Sequence, residues 1–370
     1  MSFSFGFTND DFSDDDIEES ANVNNVSVSM LNENPLDKLS GTIDESSYPK
    51  FHSLESILHT LNGVRLTFDN YTTPIGQNII YRRELFDVKH QIMCEDDNNS
   101  AKNGVTNDVL IGDNNVVDLK KNVYEGGFKS WECSYDMVDE LSTMINNGKL
   151  NYNNLLEFGC GTALPTCFLF MKRFQTQDKT GANYILSDFN YDVLRLVTVP
   201  NLIIHWASTL EPSKLHELCV SQSAADQSTE TDAPMLNNDE VLITEALIDE
   251  FVSQLSEYNV GLLFVSGSWG RQFNTLLSGT PIDLIITSET IYSPESLPIV
   301  AESLIDILTQ SNVPKSSCLI ASKNFYFGVG GSVTEFVSYL KNKKLERFSI
   351  DVNEIHDSQL KRSLVTLTYL

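Results

Sequence analysis

Positive charge is scarce in this chain: 25 Lys and Arg stand against 51 Asp and Glu over 370 residues, a formal net charge of −26. Phosphate backbones and anionic lipid repel such a surface, which argues against direct nucleic-acid binding and for a basic protein partner. Cysteine occurs six times (Cys94, Cys133, Cys160, Cys167, Cys219, Cys318) and never as CxxC. Neither a zinc ribbon nor a disulfide framework is spelled out, and cysteines scattered through apolar segments suit reduced intracellular thiols. Histidine forms no cluster: His52, His59, His90, His205, His216 and His356 are dispersed with no HxxxH spacing, so a metal site is not expected. No window approaches the roughly 18 apolar residues of a membrane span, and the N-terminus has neither a basic nor an apolar leader segment. A GxSxG elbow and a GK[ST] phosphate loop are also missing, which leaves hydrolase and nucleoside-triphosphate readings without support. The expectation is a monomer of the cytoplasm, with the nucleus as a second compartment.

What is present suffices for a sizeable core, at 41% hydrophobic residues. Residues 1–50 hold eleven acidic side chains against Lys38 and Lys50 and read as a mostly disordered tail, with the alternating Phe3, Phe5 and Phe7 as an exception able to dock as a strand. Residues 51–120 read as an N-terminal extension. It has a short helix over Leu54 to Leu61, then strands or a hairpin through Ile79, Tyr81, Leu85 and Phe86, then a loop from 94 to 115.

From 121 to 370 helix and strand signals alternate. The segment FKSWECSYDMVDELSTMI has helical spacing. LLEF, YILSD, LLFVSGSW, DLIITSE and CLIASK read as buried strands, NLIIHW is ambiguous, residues 207–240 form a polar insertion, and FSIDVNEI and SLVTLTYL close the chain. This order predicts an α/β domain with a largely parallel, Rossmann-like sheet and an active crevice at the strands' carboxyl ends.

The chemistry is expected at those ends. Glu157, Gly159, Cys160, Gly161, Thr162, Ala163 and Pro165 make a strand-to-helix turn that suits a dinucleotide, a phosphate, adenosylmethionine, or close helix packing alone. Asp188, 29 residues beyond Gly159, suits a ribose diol or, with Asn190, a helix cap. Gly267, Ser268 and Trp269 end a third strand; Ser288, Glu289 and Tyr292 end a fourth. Lys323, Tyr326 and Phe327 precede Gly328, Gly330 and Gly331, an aromatic pair beside a hinge that suits a wall or lid over substrate.

The motifs YEGGFKSWECSYDMVDEL, LLEFGCGTALP, SDFN, SGSW, TSETIYSPE and ASKNFYFGVGGSVTEF, in that order, resemble the seven-stranded protein-histidine N-methyltransferases. The resemblance covers about residues 120 to 370, the opening SFSFGF and the segment LFDVKHQ. It implies a class I methyltransferase sheet of seven strands with an N-terminal extension, and S-adenosylmethionine as cofactor. It implies cofactor contacts at Ser130, Trp131, Glu132, Cys133, Ser134, Gly159, Asp188, Phe189, Asn190, Gly267, Ser268, Trp269 and Ser288. The implied substrate is a histidine of large-subunit ribosomal protein three, methylated on the tele nitrogen. Glu289 and Tyr292 are the residues placed to orient that acceptor, with Lys323, Tyr326 and Phe327 as substrate contacts. Two other readings stay open: a lysine methyltransferase on the same fold, with TSETIY surrounding an ammonium, and a non-catalytic acidic chaperone of a basic ribosomal protein.

Overall fold

The computed structural model describes residues 34–38, 47–98, 126–220, 239–355 and 360–370, and the architecture below is that of the unit Pro35–Leu370. In chain order the strands are β1 (Lys50–His52), β2 (Arg65–Thr72), β3 (Ile79–Arg83), β4 (Asn154–Phe158), β5 (Ala182–Asp188), β6 (Glu240–Leu242), β7 (Val260–Ser266), β8 (Leu284–Ser288), β9 (Ser317–Lys323), β10 (Phe348–Ile355) and β11 (Arg362–Tyr369). The main sheet runs β1-β7-β5-β4-β8-β9-β11-β10. Strands β7, β5, β4, β8 and β9 are parallel, and β11, β10 and β1 join antiparallel. Without β1, this is the seven-stranded order expected of a class I methyltransferase. The eighth strand comes from the extension, whose Lys50, Phe51 and His52 pair with Ser266, Val265 and Phe264 at the open edge of β7.

The buried strands read as continuous apolar runs because helices cover both faces of the sheet. Side chains alternate: Leu155, Leu186 and Ile286 point into one core with the helices Glu132–Asn146, Leu164–Gln175 and Glu245–Glu257, while Leu156, Ile185 and Ile285 point into the other with Leu297–Ser311 and Val333–Asn342. Cap residues set several helix starts. Ser53 Oγ accepts from Ser56 N at 3.2 Å, fixing Leu54–Leu61 where the sequence places it, and Thr244 and Ser332 do the same for Glu245–Glu257 and Val333–Asn342.

The structure corrects one local expectation and completes others. Leu85 and Phe86 do not extend a strand but open the helix Leu85–Asn98, which also takes up the start of the expected 94–115 loop. NLIIHW is wholly helical, within Val199–Ala207, and is buried all round, which erased its periodicity. The polar 207–240 stretch contains the helix Pro212–Cys219 and ends in β6, which pairs with β2 in a small β3-β2-β6 sheet. The extension packs into the core of the sheet: Ile57, Leu61, Leu66, Phe68 and Ile80 lie in one core with Met137 and Phe168. The Phe3, Phe5 and Phe7 reading, most of the acidic tail, and His356 fall outside the described residues.

Candidate active site

The turn after β4 is shaped by two glycines and by hydrogen bonds from outside it. Gly159 has φ +69° and Gly161 +50°. A Cβ on Gly159 would stand 2.7 Å from Thr290 Cγ2 and 3.1 Å from the Trp269 ring, so only glycine fits. Four hydrogen bonds from outside hold the turn. Gly161 N donates to Asp188 Oδ2 (3.0 Å), Cys160 N to the Ser187 carbonyl (2.7 Å), Thr198 Oγ1 to the Gly161 carbonyl (2.7 Å) and Asn201 Nδ2 to the Thr162 carbonyl (2.8 Å). Thr198 ends a π-helical segment, Leu194–Thr198, that joins Tyr191–Val193 to Val199–Ala207. Such wide turns redirect side chains, here toward the backbone of the glycine turn.

Asp188 serves more than one task. It is 7% exposed and its Oδ1 accepts from Asn190 N at 3.1 Å. Asn190 occupies the cap position of Tyr191–Val193, yet its side chain makes no capping bond there. The Asp188 carboxylate thus braces two loops and still faces the cavity.

Three distant segments meet on the other side. Glu289, just past β8, adopts φ +57°, a left-handed conformation unusual for glutamate that aims its carboxylate at the helix Glu132–Asn146. Glu289 Oε1 accepts from Cys133 N at 3.1 Å in the first helical turn, where an anion is favoured by the helix dipole. Its Oε2 lies 3.2 Å from Lys323 Nζ, which is also 2.8 Å from Glu132 Oε2. Burial would depress the Lys323 ammonium, but these carboxylates outweigh it and hold the group above the ordinary lysine value. Burial pushes Tyr326 well above the usual tyrosine value, reinforced by Glu289. Burial also raises Glu157, at the end of β4, to about 8, while Thr166 N donates to its Oε2 at 3.1 Å. The thiols of Cys133, Cys160 and Cys167 are pushed up by burial, which removes them as nucleophiles.

A cavity of about 540 Å³ opens between these segments, at the carboxyl ends of the parallel strands. Of the residues proposed from the sequence, Trp131, Ser134, Gly159, Asp188, Phe189, Ser268, Trp269, Ser288, Glu289, Tyr292, Lys323, Tyr326 and Phe327 line it. The others stand behind the lining. The Ser130 hydroxyl bonds the Thr162 hydroxyl (3.0 Å), Glu132 turns to Lys323, the Cys133 side chain is fully buried in the core, and Asn190 braces Asp188. Gly267, at φ +115°, is a crossing point: a Cβ there would lie 2.7 Å from Pro49 backbone atoms. The sequence reading did not single out Gly126, Gly127, Lys129, Ser296, Ile299, Phe325, Val329 and Leu360 as lining. Gly127 carried a signal within YEGGF, since a Cβ there would meet Val193 at 2.8 Å; the exposed Phe325 and Leu360 carried none.

The lining fits S-adenosylmethionine. Trp269 Nε1 and Ser288 Oγ are buried without a hydrogen-bond partner, and both residues face the cavity. Such groups are costly unless a ligand pairs them. Together with the side-chain-free Gly159 and the Asp188 carboxylate, they offer polar anchors in a largely apolar pocket whose volume lies in the range of small-molecule sites, roughly 300–1,000 Å³.

No protein-family model matches the chain. A solved S-adenosylmethionine-dependent methyltransferase from Aquifex aeolicus aligns with a TM-score of 0.34 and 12% identity, over 64% of this chain and 93% of that one; similarity of that size leaves the fold to the strand order above. The curated relatives are much nearer. Histidine protein methyltransferase 1 of Saccharomyces cerevisiae is 41% identical over 391 aligned positions, covering 99% of this chain and 98% of that protein. The Schizosaccharomyces pombe protein of the same name is 32% identical, over 82% and 78%. With a class I strand order, a pocket fitted to the cofactor and identity of this extent, the chain belongs to the histidine protein methyltransferase 1 family.

Proposed function

We propose that the protein transfers the methyl group of S-adenosylmethionine to the tele nitrogen of a histidine in a basic ribosomal protein, large-subunit protein three being the substrate that the family resemblance implies. What carries the acceptor's identity is the near full-length similarity to relatives named for histidine protein methylation. The cofactor supplies an electrophilic methyl group on a sulfonium. The residues of this chain have to hold the acceptor in line with it and keep water out, a task in which positioning contributes most of the rate.

A histidine with a free pKa near 6.5 is mostly neutral at cellular pH and already presents a lone pair, so no strong base is needed. The remaining demand is the tautomer, with the proton on the near nitrogen. Glu289 and Tyr292 are the proposed orienting residues. Because Glu289 already accepts from Cys133 N and pairs with Lys323, it acts as a fixed acceptor and not as a proton carrier. At the mouth, Phe327 is 80% exposed and Phe325 48%, an apolar surface for the segment that carries the acceptor. The net charge of −26 speeds encounter with a basic partner, and residence in the cytoplasm with access to the nucleus goes with that substrate.

The test is mass spectrometry of ribosomal proteins from cells lacking the gene. One methylhistidine should disappear and return with the wild-type gene. Its persistence, or loss of a methyl-lysine in its place, would overturn the reading.

A further inference from the structure

The runner-up chemistry, methylation of lysine, requires carboxylates and aromatic faces around an ammonium. That arrangement exists at the cavity mouth, and a side chain of the protein itself occupies it. Lys323 Nζ lies 2.8 Å from Glu132 Oε2 and 3.2 Å from Glu289 Oε2, with the Trp131 ring centre at 5.5 Å and the Tyr326 ring centre at 5.8 Å. Two carboxylates and two aromatic faces are what a protein assembles to bind an alkylammonium ion.

Three of the four walls are held without Lys323. Glu289 is fixed by Cys133 N at 3.1 Å, the Trp131 indole N–H donates to the Gly126 carbonyl at 3.2 Å, and the Tyr326 hydroxyl bonds Ser322 Oγ at 3.0 Å. The cage is thus part of the scaffold and the ammonium is its occupant. We propose that Lys323 is a specificity-determining residue: by filling a cation cage beside the acceptor site, it excludes a lysine ammonium and leaves the site to a neutral imidazole. The inference rests on the acceptor reading above and supplies its physical basis.

An acceptor lysine would find the cage walls taken and a like charge at short range, while a neutral ring loses neither contact. The carboxylates keep Lys323 protonated more firmly than a free lysine, so the cage stays filled across the pH range of activity. Selection against the wrong acceptor is then built into the pocket as an occupied subsite, which is stronger than the mere absence of favourable contacts.

The experiment compares the full-length wild type with Lys323→Met and Lys323→Arg, each loaded with cofactor. Calorimetry follows n-butylammonium as the lysine surrogate and 4-methylimidazole as the histidine surrogate, and far-ultraviolet circular dichroism with thermal denaturation reports that each variant is folded. Lys323→Met should bind n-butylammonium about tenfold or more tightly than wild type, Lys323→Arg should show no such gain, and the preference for n-butylammonium over 4-methylimidazole should rise about tenfold or more in Lys323→Met alone. Equal n-butylammonium binding by wild type and a folded Lys323→Met would overturn the cage assignment and leave the histidine reading standing. A wild-type enzyme that methylates ribosomal protein lysine in preference to histidine would overturn both.

Discussion

Replacing Asp188 with Asn tests the cofactor pocket at its most connected residue. Both carboxylate oxygens accept from backbone amides, Oδ2 from Gly161 N at 3.0 Å and Oδ1 from Asn190 N at 3.1 Å. An amide side chain has one acceptor oxygen, so whichever way it turns, its NH₂ group faces a backbone N–H. One buried, charge-assisted hydrogen bond is lost and two donors are forced together, at a cost of about 1.5–3 kcal/mol. Asp188 and Gly161 both line the cavity proposed for the cofactor, so that cost is expected to fall largely on binding. Asp188→Asn should therefore weaken S-adenosylmethionine binding by about ten- to a hundredfold, nearly as much as Asp188→Ala, although asparagine has almost the shape of aspartate. Isothermal titration calorimetry on folded protein gives the answer. An affinity within about twofold of wild type for Asp188→Asn would refute the argument, because it would mean that neither the turn nor the ligand depends on the second oxygen.

Gly267→Ala should lower the denaturation free energy by more than about 2 kcal/mol and speed amide exchange in β1, because its Cβ would meet Pro49 backbone at 2.7 Å. Gly148→Ala, also left-handed but with open space around it, should cost only about 1 kcal/mol. His205 is buried and neutral, its pKa lowered to about 4 by burial; the unfolded state takes up its proton first, so stability is present above pH 6.5 and lost as pH falls toward 4. Between pH 7 and 5 the wild type should lose about 2 kcal/mol more than His205→Gln in chemical denaturation, and parallel curves would refute this. Arg83→Met strands the Asp87 carboxylate (2.6 Å) and the Leu196 carbonyl (2.8 Å) and should cost about 3 kcal/mol of stability. It should also weaken cofactor binding although Arg83 is not a lining residue; unchanged calorimetric affinity would sever that link.

Much of the sheet could be read along the chain because a parallel strand buried on both faces is an uninterrupted apolar run between turn residues, as in LLEF and DLIITS. The helix Leu54–Leu61 was legible from its local apolar spacing, and the Ser53 cap then fixes its start. What escaped was decided at long range. Among the described side chains of Leu85–Asn98 only the narrow stripe Val88, Gln91 and Ile92 is buried, so the helical signal is weak. The pairing of Lys50–His52 with β7 joins segments more than two hundred residues apart, and no local pattern encodes it. The same holds for the site. Gly159 and Asp188 follow strand ends and are visible as such, whereas Lys323 meets Glu132 and Glu289 only because the sheet order sets β8 beside β9 and packs the helix Glu132–Asn146 over both. The left-handed turn at Glu289 that aims its carboxylate has no sequence signature, since glycine or asparagine is the usual occupant of that conformation.

The extension gains a functional meaning from these long-range contacts. Arg83, at the end of β3, is almost fully buried, and its guanidinium donates to the Leu196 carbonyl in the π-helical segment, where a wide turn leaves carbonyls in need of partners. The backbone N–H of Arg83 donates to Asn201 Oδ1 at 2.7 Å, and the amide group of Asn201 donates in turn to the Thr162 carbonyl in the glycine turn. Tyr81 N, two residues earlier, donates to His205 Nε2 at 3.1 Å, while His205 Nδ1 bonds the Asn201 carbonyl at 2.7 Å, so the ring carries its proton on Nδ1. A continuous chain of buried hydrogen bonds therefore runs from the extension hairpin through one helix to the glycine turn that lines the cavity. Each link is a polar group that would be costly to leave unpaired, so disturbing one end changes the geometry at the other. A catalytic sheet of this kind needs its glycine turn fixed to within a fraction of an ångström for methyl transfer. Here the fixing elements lie outside the sheet, in residues 79–83, which explains why the extension is packed into the core of the methyltransferase domain.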